Sequence, residues 1–231
     1  MKNKKKNSLL KIDNFLVESD KVNLSDETFS KLMFLYSAAL KQLETKMDII
    51  QKEFEYFYGC TIIDHTKSRI KKPESIIKKM ESKNYELTYR NLVEQVNDIA
   101  GFRIICPLKD DIFSTVDLIK GMPDINVIKE KDYVTKPKKS GYSSYHLIVE
   151  VPVPLMKQII PVKVEIQIRT LAMDFWASLE HDIKYKSKNN ISKKVSNELI
   201  KCAKMINKLD NQMITINNDS KENVLLQNEN S

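Results

Sequence analysis

The strongest constraint on the fold is one segment in which hydrophobic and polar side chains alternate without a break. Residues 162–169 read VKVEIQIR, so β-branched residues occupy the even positions and polar residues the odd ones. Successive side chains of a β-strand point to opposite faces of the sheet, and the segment therefore predicts a strand with one face against the core. The other face carries Lys163, Glu165, Gln167 and Arg169, and it is either an ordinary solvent-exposed face or a functional surface.

The remaining elements indicate an α+β protein. Apolar or alternating segments predict further strands at 99–106, 126–128 and 142–153, and the last of these is expected to run antiparallel to the strand that ends at Arg169. Helical spacing of apolar residues predicts a long first helix from Ser25 to Gly59, shorter helices that begin at Pro73, Thr88, Asp111 and Thr170, and a long last helix over 191–216. We expect a mixed, mainly antiparallel five-stranded sheet flanked by helices, with long N- and C-terminal helices.

Domain organisation follows from where the apolar residues stop. Residues 25–216 are predicted to form a single domain, whereas residues 1–24 are expected to be a flexible segment and residues 217–231 a disordered tail. The three cysteines are scattered and no segment approaches a membrane span, so we expect a reduced, cytoplasmic protein without a membrane partner. The 231 residues carry a net charge of +7, which indicates an anionic partner such as a nucleotide or a nucleic acid.

Two carboxylates and one guanidinium stand out beside the apolar strands. Asp98 lies where the chain enters the strand at 99–106, and Arg103 lies inside that strand, where a charge is costly unless it is paired or faces a polar cavity. Either residue alone could serve in a turn or a structural ion pair. Together with Glu165, Asp98 could hold Mg²⁺, which binds to one or two carboxylates plus substrate phosphates.

Two basic segments suit phosphate groups. The segment 136–146 reads KPKKSGYSSYH, and Tyr142, Ser144 and His146 share one face if a strand begins at Tyr142. Near the predicted start of the second helix, Ser75 and Lys79 are one turn apart, and the N-terminus of a helix favours phosphate. Each segment could equally be an ordinary solvated basic surface.

In combination, four segments resemble the synthetase domain of RelA/SpoT-type (p)ppGpp synthetases. They read SRIKKPESIIKKM, DIAGFRIIC, KPKKSGYSSYHLIVEVPV and VKVEIQIRTLAMDFWASLEHDIKYK. The resemblance extends over about residues 25–210, and the short chain is most similar to the small alarmone synthetases of the RelQ type. It implies a nucleotidyltransferase-like synthetase domain and no hydrolase domain. One departure is Ser68, because family members usually carry glycine before the arginine that follows it.

The resemblance implies an enzyme that transfers the β,γ-pyrophosphate of ATP to the 3′-hydroxyl of GDP or GTP, or of GMP, and releases AMP. Mg²⁺ is the implied cofactor, and a homotetramer assembled through the terminal helices is the implied form. Single-stranded RNA is a further partner that the family suggests. A basic RNA-binding regulator with a vestigial nucleotide site is the alternative reading. The intact pair Asp98 and Glu165 favours catalysis, since a surface that only binds phosphate has no use for them.

The site residues that the resemblance implies fall into three groups. The catalytic and metal-binding residues are Asp98 and Glu165. The residues that bind ATP are Arg69, Lys71, Ser75, Lys79 and Arg103. The residues that bind the guanine nucleotide are Lys138, Tyr142, His146, Gln167 and Arg169.

Overall fold

The computed structural model describes residues 21–187 and 191–229. Its five strands are β1 (His65–Ile70), β2 (Ala100–Cys106), β3 (Asn126–Asp132), β4 (Tyr145–Pro154) and β5 (Ile159–Thr170). Its six helices are α1 (Glu27–Tyr58), α2 (Pro73–Ser82), α3 (Tyr89–Gln95), α4 (Lys109–Gly121), α5 (Leu171–Lys186) and α6 (Lys193–Glu229). Most of the expected flexible segment, residues 1–20, lies outside the described residues, as do residues 230 and 231 of the expected tail.

All five strands form one sheet, in the order β1-β2-β5-β4-β3. The central β2–β5 pair is parallel, and the β1–β2, β5–β4 and β4–β3 pairs are antiparallel. This arrangement confirms the predicted α+β class with its mainly antiparallel five-stranded sheet. The antiparallel pairing of the last two strands is also confirmed, and the chain reverses between them at residues 155–158.

The hydrophobic core lies on one face of this sheet. The even-numbered residues of β5 are buried, as the alternation predicts, and they join the odd-numbered residues of β4 and Phe102 of β2 in one cluster. Helix α1 covers this cluster with side chains that include Leu35, Leu43 and Met47, all almost fully buried. Since the core occupies one face, the polar residues of the strands are left on the other.

Local backbone signals fix both ends of α1. Asp26 caps the N-terminus by accepting a hydrogen bond from the backbone N–H of Phe29 at 2.7 Å. Gly59 ends the helix in the left-handed conformation at φ +62°, where glycine has no steric penalty, so the predicted stop at Gly59 is confirmed. Phe57, at the end of α1, is not part of the core, however, because it is 81% exposed.

The structure differs from the sequence-based elements at several places, and one of them is strand β3, which continues to Asp132 rather than ending at residue 128. Strand β1 is not predicted by its own sequence, because HTKSRI has almost no apolar side chains. It lies at the edge of the described sheet, where it pairs with β2. Strand β4 begins at Tyr145 rather than at Tyr142. Helix α6 continues to Glu229 instead of ending at residue 216, since residues 193–229 contain no glycine or proline to stop a helix.

Candidate active site

The polar face of the sheet is organised in two rows of directly paired residues. Directly paired residues of neighbouring strands project to the same face, so the strand register shows which side chains are neighbours. One row runs from β3 to β1 through Lys131, His146, Gln167, Arg103 and Lys67. The next row runs through Lys129, Ile148, Glu165, Gly101 and Arg69.

Asp98 lies at the edge of this face, between the end of α3 and the start of β2. Lys71 Nζ donates a hydrogen bond to its Oδ2 at 2.8 Å, and Lys79 Nζ of α2 lies 2.7 Å from its Oδ1. The second contact is an ion pair, so each carboxylate oxygen of Asp98 faces a lysine ammonium group. Asp98 is therefore held by two cations, one at each of its carboxylate oxygens.

Glu165 is fixed by its neighbours in the rows. His146 Nδ1 lies 3.2 Å from Glu165 Oε1, and Gln167 Nε2 donates a hydrogen bond to Oε2 at 3.0 Å. Burial alone would raise the pKa of Glu165, but the hydrogen bond and charge of His146 and the bond from Gln167 outweigh burial, so the pKa is lowered. Burial likewise opposes ionisation of Asp98, yet Lys71 and Lys79 lower its pKa. Both groups are carboxylates at neutral pH.

Two cavities meet at this carboxylate pair. The first has a volume of about 300 Å³ and lies over β1 and β2, where Arg69, Gly101 and Arg103 line it. The second, of about 260 Å³, lies over β3 and β4 and is lined by Lys79, Lys138 and His146. Asp98 and Glu165 belong to both linings. A third cavity, of about 320 Å³ between residues 137–143 and α6, contains neither carboxylate.

The first cavity presents two guanidinium groups on neighbouring strands. Arg69 pairs with Gly101, and the Arg69 side chain lies across that glycine, so that a Cβ at 101 would be 3.6 Å from Arg69 Cγ. Arg103 is two residues further along β2, on the same face. Guanidinium planes stack on aromatic rings, and this pair suits a nucleotide base.

The second cavity is bordered by aromatic rings and a lysine. Tyr142 lies beside His146, with its hydroxyl 2.8 Å from His146 Nε2. Lys138 Nζ lies 4.6 Å from the ring centroid of Tyr142 and 4.6 Å from that of Tyr133. Aromatic rings combined with cations are suited to a base and its phosphates.

Arg169 connects the rings to the strand rows. Its guanidinium donates to Tyr142 Oη at 2.6 Å and to Gln167 Oε1 at 2.8 Å. It also donates to Ser144 Oγ at 3.4 Å and to Asp174 Oδ1 at 3.1 Å. Arg169 is only 4% exposed, so it holds other side chains in place rather than offering a free charge.

The structure brings together nearly all of the predicted site residues. Lys71, Tyr142 and Arg169 are not in the two linings, but each bonds to a residue that is. Ser75 is exposed in the first turn of α2 and is not among the lining residues.

The expectation that Ser144 shares a face with Tyr142 and His146 is wrong. Ser144 is fully buried and donates to the backbone carbonyl of Ile168, because the strand begins one residue after it.

Sequence reasoning missed several residues of the site. Lys67, Lys129 and Lys131 lie in the two rows, and their spacing of two residues along a strand was the available signal. Asp174 gave no such signal, since an acidic residue in the first turn of a helix is ordinary. Its Oδ1 nevertheless accepts hydrogen bonds from Arg103 at 2.8 Å and from Arg169.

Comparison with known proteins agrees with this geometry. Residues 68–190 match the family model described as a region found in RelA / SpoT proteins. The chain is 45% identical over 190 residues to the GTP pyrophosphokinase YwaC of Bacillus subtilis, a match that spans 82% of this chain and 90% of YwaC. It is 35% identical over 199 residues to the GTP pyrophosphokinase YjbM of the same organism, spanning 86% of this chain and 93% of YjbM.

Solved structures show the same similarity. Small alarmone synthetase 2 of B. subtilis superposes with a TM-score of 0.74 at 44% identity, over 80% of this chain and 97% of that one. Small alarmone synthetase 1 of B. subtilis, bound to its product pppGpp, superposes with a TM-score of 0.78 at 35% identity, over 84% and 98%.

A mixed sheet with a carboxylate pair between two cationic cavities defines a nucleotide-dependent transferase, and the chain belongs to the RelA/SpoT family. The relatives that it matches over most of their length are small alarmone synthetases, which is the group that the sequence motifs predict.

Proposed function

We propose that the chain is a GTP pyrophosphokinase that makes ppGpp and pppGpp from ATP and GDP or GTP, and that GMP is a further acceptor. The observation that carries the proposal is the pair of cationic cavities that meet at Asp98 and Glu165. Two nucleotides bound in these cavities would meet at the carboxylates. In support, the relatives YwaC and YjbM are both named GTP pyrophosphokinases.

The cavity over β1 and β2 is the proposed ATP site. Arg69 and Arg103 would hold the adenine, and Lys71 and Lys79 would face the phosphates where the two cavities meet at Asp98. In support, a structure of B. subtilis small alarmone synthetase 1 bound to AMPCPP superposes with a TM-score of 0.72 at 33% identity, over 85% of this chain and all of that one. Ser75 remains a predicted ATP-binding residue, and it is exposed in the first turn of α2.

The cavity over β3 and β4 is the proposed site of the guanine nucleotide. The base would stack on Tyr142, while Lys138 and His146 would contact the phosphates or the ribose. Gln167 would act indirectly by holding Glu165 in place, and Arg169 by holding Tyr142 in place. This division of roles follows from Arg169 being buried and already bonded to protein groups.

In the reaction, the 3′-oxygen of the guanine nucleotide attacks the β-phosphorus of ATP. The bond between the β-phosphorus and the oxygen that bridges it to the α-phosphate breaks, AMP leaves, and the 3′-hydroxyl loses its proton. Such a transfer depends on positioning and on compensation of negative charge. The lysines and arginines of the two cavities provide that compensation, and the strand register provides the positioning.

The carboxylate pair fits Mg²⁺. Asp98 and Glu165 line both cavities, and Mg²⁺ binds to one or two carboxylates together with substrate phosphates. The described residues contain no cluster of three or more histidine, cysteine or acidic side chains, so substrate oxygens and water would complete the coordination. Bound Mg²⁺ would neutralise phosphate charge and lower the pKa of the attacking hydroxyl.

Glu165 is better suited to accept a hydrogen bond than to act alone as a strong base. Its pKa lies below the usual range of glutamate, and a base is most effective when its pKa is near the working pH. We therefore assign Glu165 to hold and orient the 3′-hydroxyl and to share the metal with Asp98. His146, in contact with Glu165 on the acceptor side, is placed to relay the released proton.

The terminal helices supply the surfaces for the proposed homotetramer. Met205, Leu209 and Met213 form a stripe on α6 and are 63%, 50% and 45% exposed. The end of α1 presents Tyr56 and Phe57, which are 83% and 81% exposed. Contiguous exposed apolar surface of this kind is typical of a protein–protein contact.

The described residues include no helix that is long and apolar enough to cross a lipid bilayer.

Incubation with ATP labelled at the β- and γ-phosphates, Mg²⁺, and each of GMP, GDP and GTP tests the proposal. We expect label in a product with a 3′-pyrophosphate and an equimolar amount of AMP, and no product when EDTA replaces Mg²⁺. Release of labelled pyrophosphate or phosphate without transfer to the acceptor would contradict it. Incubation of the purified product with the protein should leave it intact, because the proposal includes no hydrolase activity.

A further inference from the structure

We infer that Asp174 is a positioning residue that couples the ATP cavity to the guanine-nucleotide cavity. The inference rests on the proposed function, since it concerns the two substrates of that reaction. Asp174 touches neither cavity, and it acts through Arg103 on one side and through Arg169 on the other.

The position of Asp174 is fixed by the junction between β5 and α5. Thr170 ends the strand and caps the helix, accepting a hydrogen bond from the backbone N–H of Met173 at 3.1 Å. Asp174 follows in the first turn, where the partial positive charge of the helix N-terminus stabilises a carboxylate. With 8% of its surface exposed, it has little freedom to move away from its partners.

One oxygen of Asp174 serves both sides of the site. Oδ1 accepts from Arg103 Nη1 at 2.8 Å and from Arg169 Nη1 at 3.1 Å, while Oδ2 lies 3.7 Å from Lys67 Nζ. Bonds to a shared, buried carboxylate fix both guanidinium groups relative to each other. Burial lowers the pKa of Arg103, and the charges of Arg169 and Arg69 lower it further, whereas Asp174 opposes this effect.

From Asp174 the bonds continue to the carboxylate that faces the acceptor. Arg169 donates to Tyr142 Oη at 2.6 Å, and the same hydroxyl lies 2.8 Å from His146 Nε2. His146 Nδ1 in turn contacts Glu165 Oε1 at 3.2 Å. The contacts are thus continuous from the arginine proposed to stack on adenine to the ring proposed to stack on guanine. When ATP orders Arg103, Asp174 and Arg169 become ordered with it, and Tyr142 is held for the second base.

This continuity predicts that each nucleotide strengthens the binding of the other. The test measures the dissociation constant of AMPCPP, by calorimetry with Mg²⁺, in the absence and in the presence of saturating GDP. In the unaltered protein we expect GDP to tighten AMPCPP binding by about fivefold or more. In Asp174→Asn, whose neutral amide bonds the two arginines less strongly, we expect this factor to fall close to one.

Two further variants separate coupling from a general loss of structure. Asp174→Glu keeps the charge and should retain part of the coupling. Asp182→Asn, a change at an exposed acid on the same helix, is the matched control and should leave both affinities unchanged. Thermal unfolding of each variant establishes that it is folded.

Steady-state kinetics provides a second measurement. We expect Asp174→Asn to raise the KM of ATP and of GDP together while kcat changes less, because the reacting groups remain in place. A coupling factor in Asp174→Asn equal to that of the unaltered protein would overturn the inference, as would a KM effect confined to one substrate. Failure of the proposed function looks different, since the unaltered protein would then form no 3′-pyrophosphorylated product.

Discussion

At the scale of single residues, the two carboxylates differ in how they are held. Asp98 is paired with Lys71 and Lys79, whereas Glu165 is bonded to His146 and Gln167. Each is ionised at neutral pH because its partners lower its pKa against the effect of burial. A neutral isostere at either position therefore removes a charge that the site has been built to hold.

We expect Asp98→Asn and Glu165→Gln each to abolish synthesis while the protein stays folded. The amide cannot balance the charge of the lysines or hold Mg²⁺ as a carboxylate does. Transfer of labelled pyrophosphate to GDP measures the loss, and circular dichroism measures folding. The controls are Asp110→Asn and Glu198→Gln, which alter exposed acids on α4 and α6. Residual turnover above a few per cent in either site variant would contradict the assignment.

Tyr142 offers a test that separates the ring from its hydroxyl. Tyr142→Ala removes the stacking surface, which is worth about 1–3 kcal/mol for a base, so the KM of GDP should rise by about tenfold or more. Tyr142→Phe keeps the ring and loses the bonds to Arg169 and His146, so its effect on KM should be smaller. Initial rates at varied GDP and varied ATP distinguish the two substrates.

Tyr185→Ala is the control for this pair, because Tyr185 is 77% exposed on α5. An increase confined to the KM of ATP would refute the placement of guanine on Tyr142.

At the scale of elements, the segment that carries Asp98 depends on a contact from the central strand. Lys163 of β5 donates to the backbone carbonyls of Val93 at 3.2 Å and of Glu94 at 3.0 Å, at the C-terminal end of α3. A cation at this end of a helix satisfies carbonyls that lack partners within the helix. Burial lowers the pKa of Lys163, which shows how closely it is packed.

We expect Lys163→Met to reduce kcat by about tenfold, because misplacement of a catalytic group by even a fraction of an ångström is costly. Methionine fills a similar volume and leaves the two carbonyls without their donor. Hydrogen exchange of residues 93–98 should become faster in the variant, which locates the effect. Lys157→Met, in the exposed turn between β4 and β5, should change neither measurement. An unchanged kcat in Lys163→Met would show that α3 positions Asp98 without help.

The elements also show how far sequence alone could go. Strand β5 was predictable because both of its faces keep a strict period of two, and most site residues were predictable because the motif spacing around them is specific. Strand β1 was not apparent from its own residues, since an edge strand that lines a nucleotide site is polar on nearly every position. The bonds of Asp174 depend on how α5 leaves the sheet, and this is a tertiary property that no local pattern encodes.

At the scale of the whole molecule, the terminal helices expose apolar side chains to solvent. We expect the double variant Met205→Lys, Leu209→Lys to dissociate the proposed homotetramer, because charges would then face an interface between copies of this chain. Sedimentation velocity measures the mass. Lys208→Ala, which lies off the apolar stripe, should leave the assembly unchanged. A double variant with the same mass as the unaltered protein would exclude this stripe from the contact.

Within the described residues, the one parallel strand pair is β2 with β5, and it brings the two carboxylates together. Parallel strands require a long crossover, and here β3 and β4 lie between the two partners in the chain. Asp98 precedes β2 and Glu165 lies within β5, so the two carboxylates meet only when this long-range closure is complete. The two carboxylates are not brought together until β5, the last of the five strands in the chain, is inserted between β2 and β4. Alarmone production therefore depends on a strand pairing between segments that are far apart in the sequence.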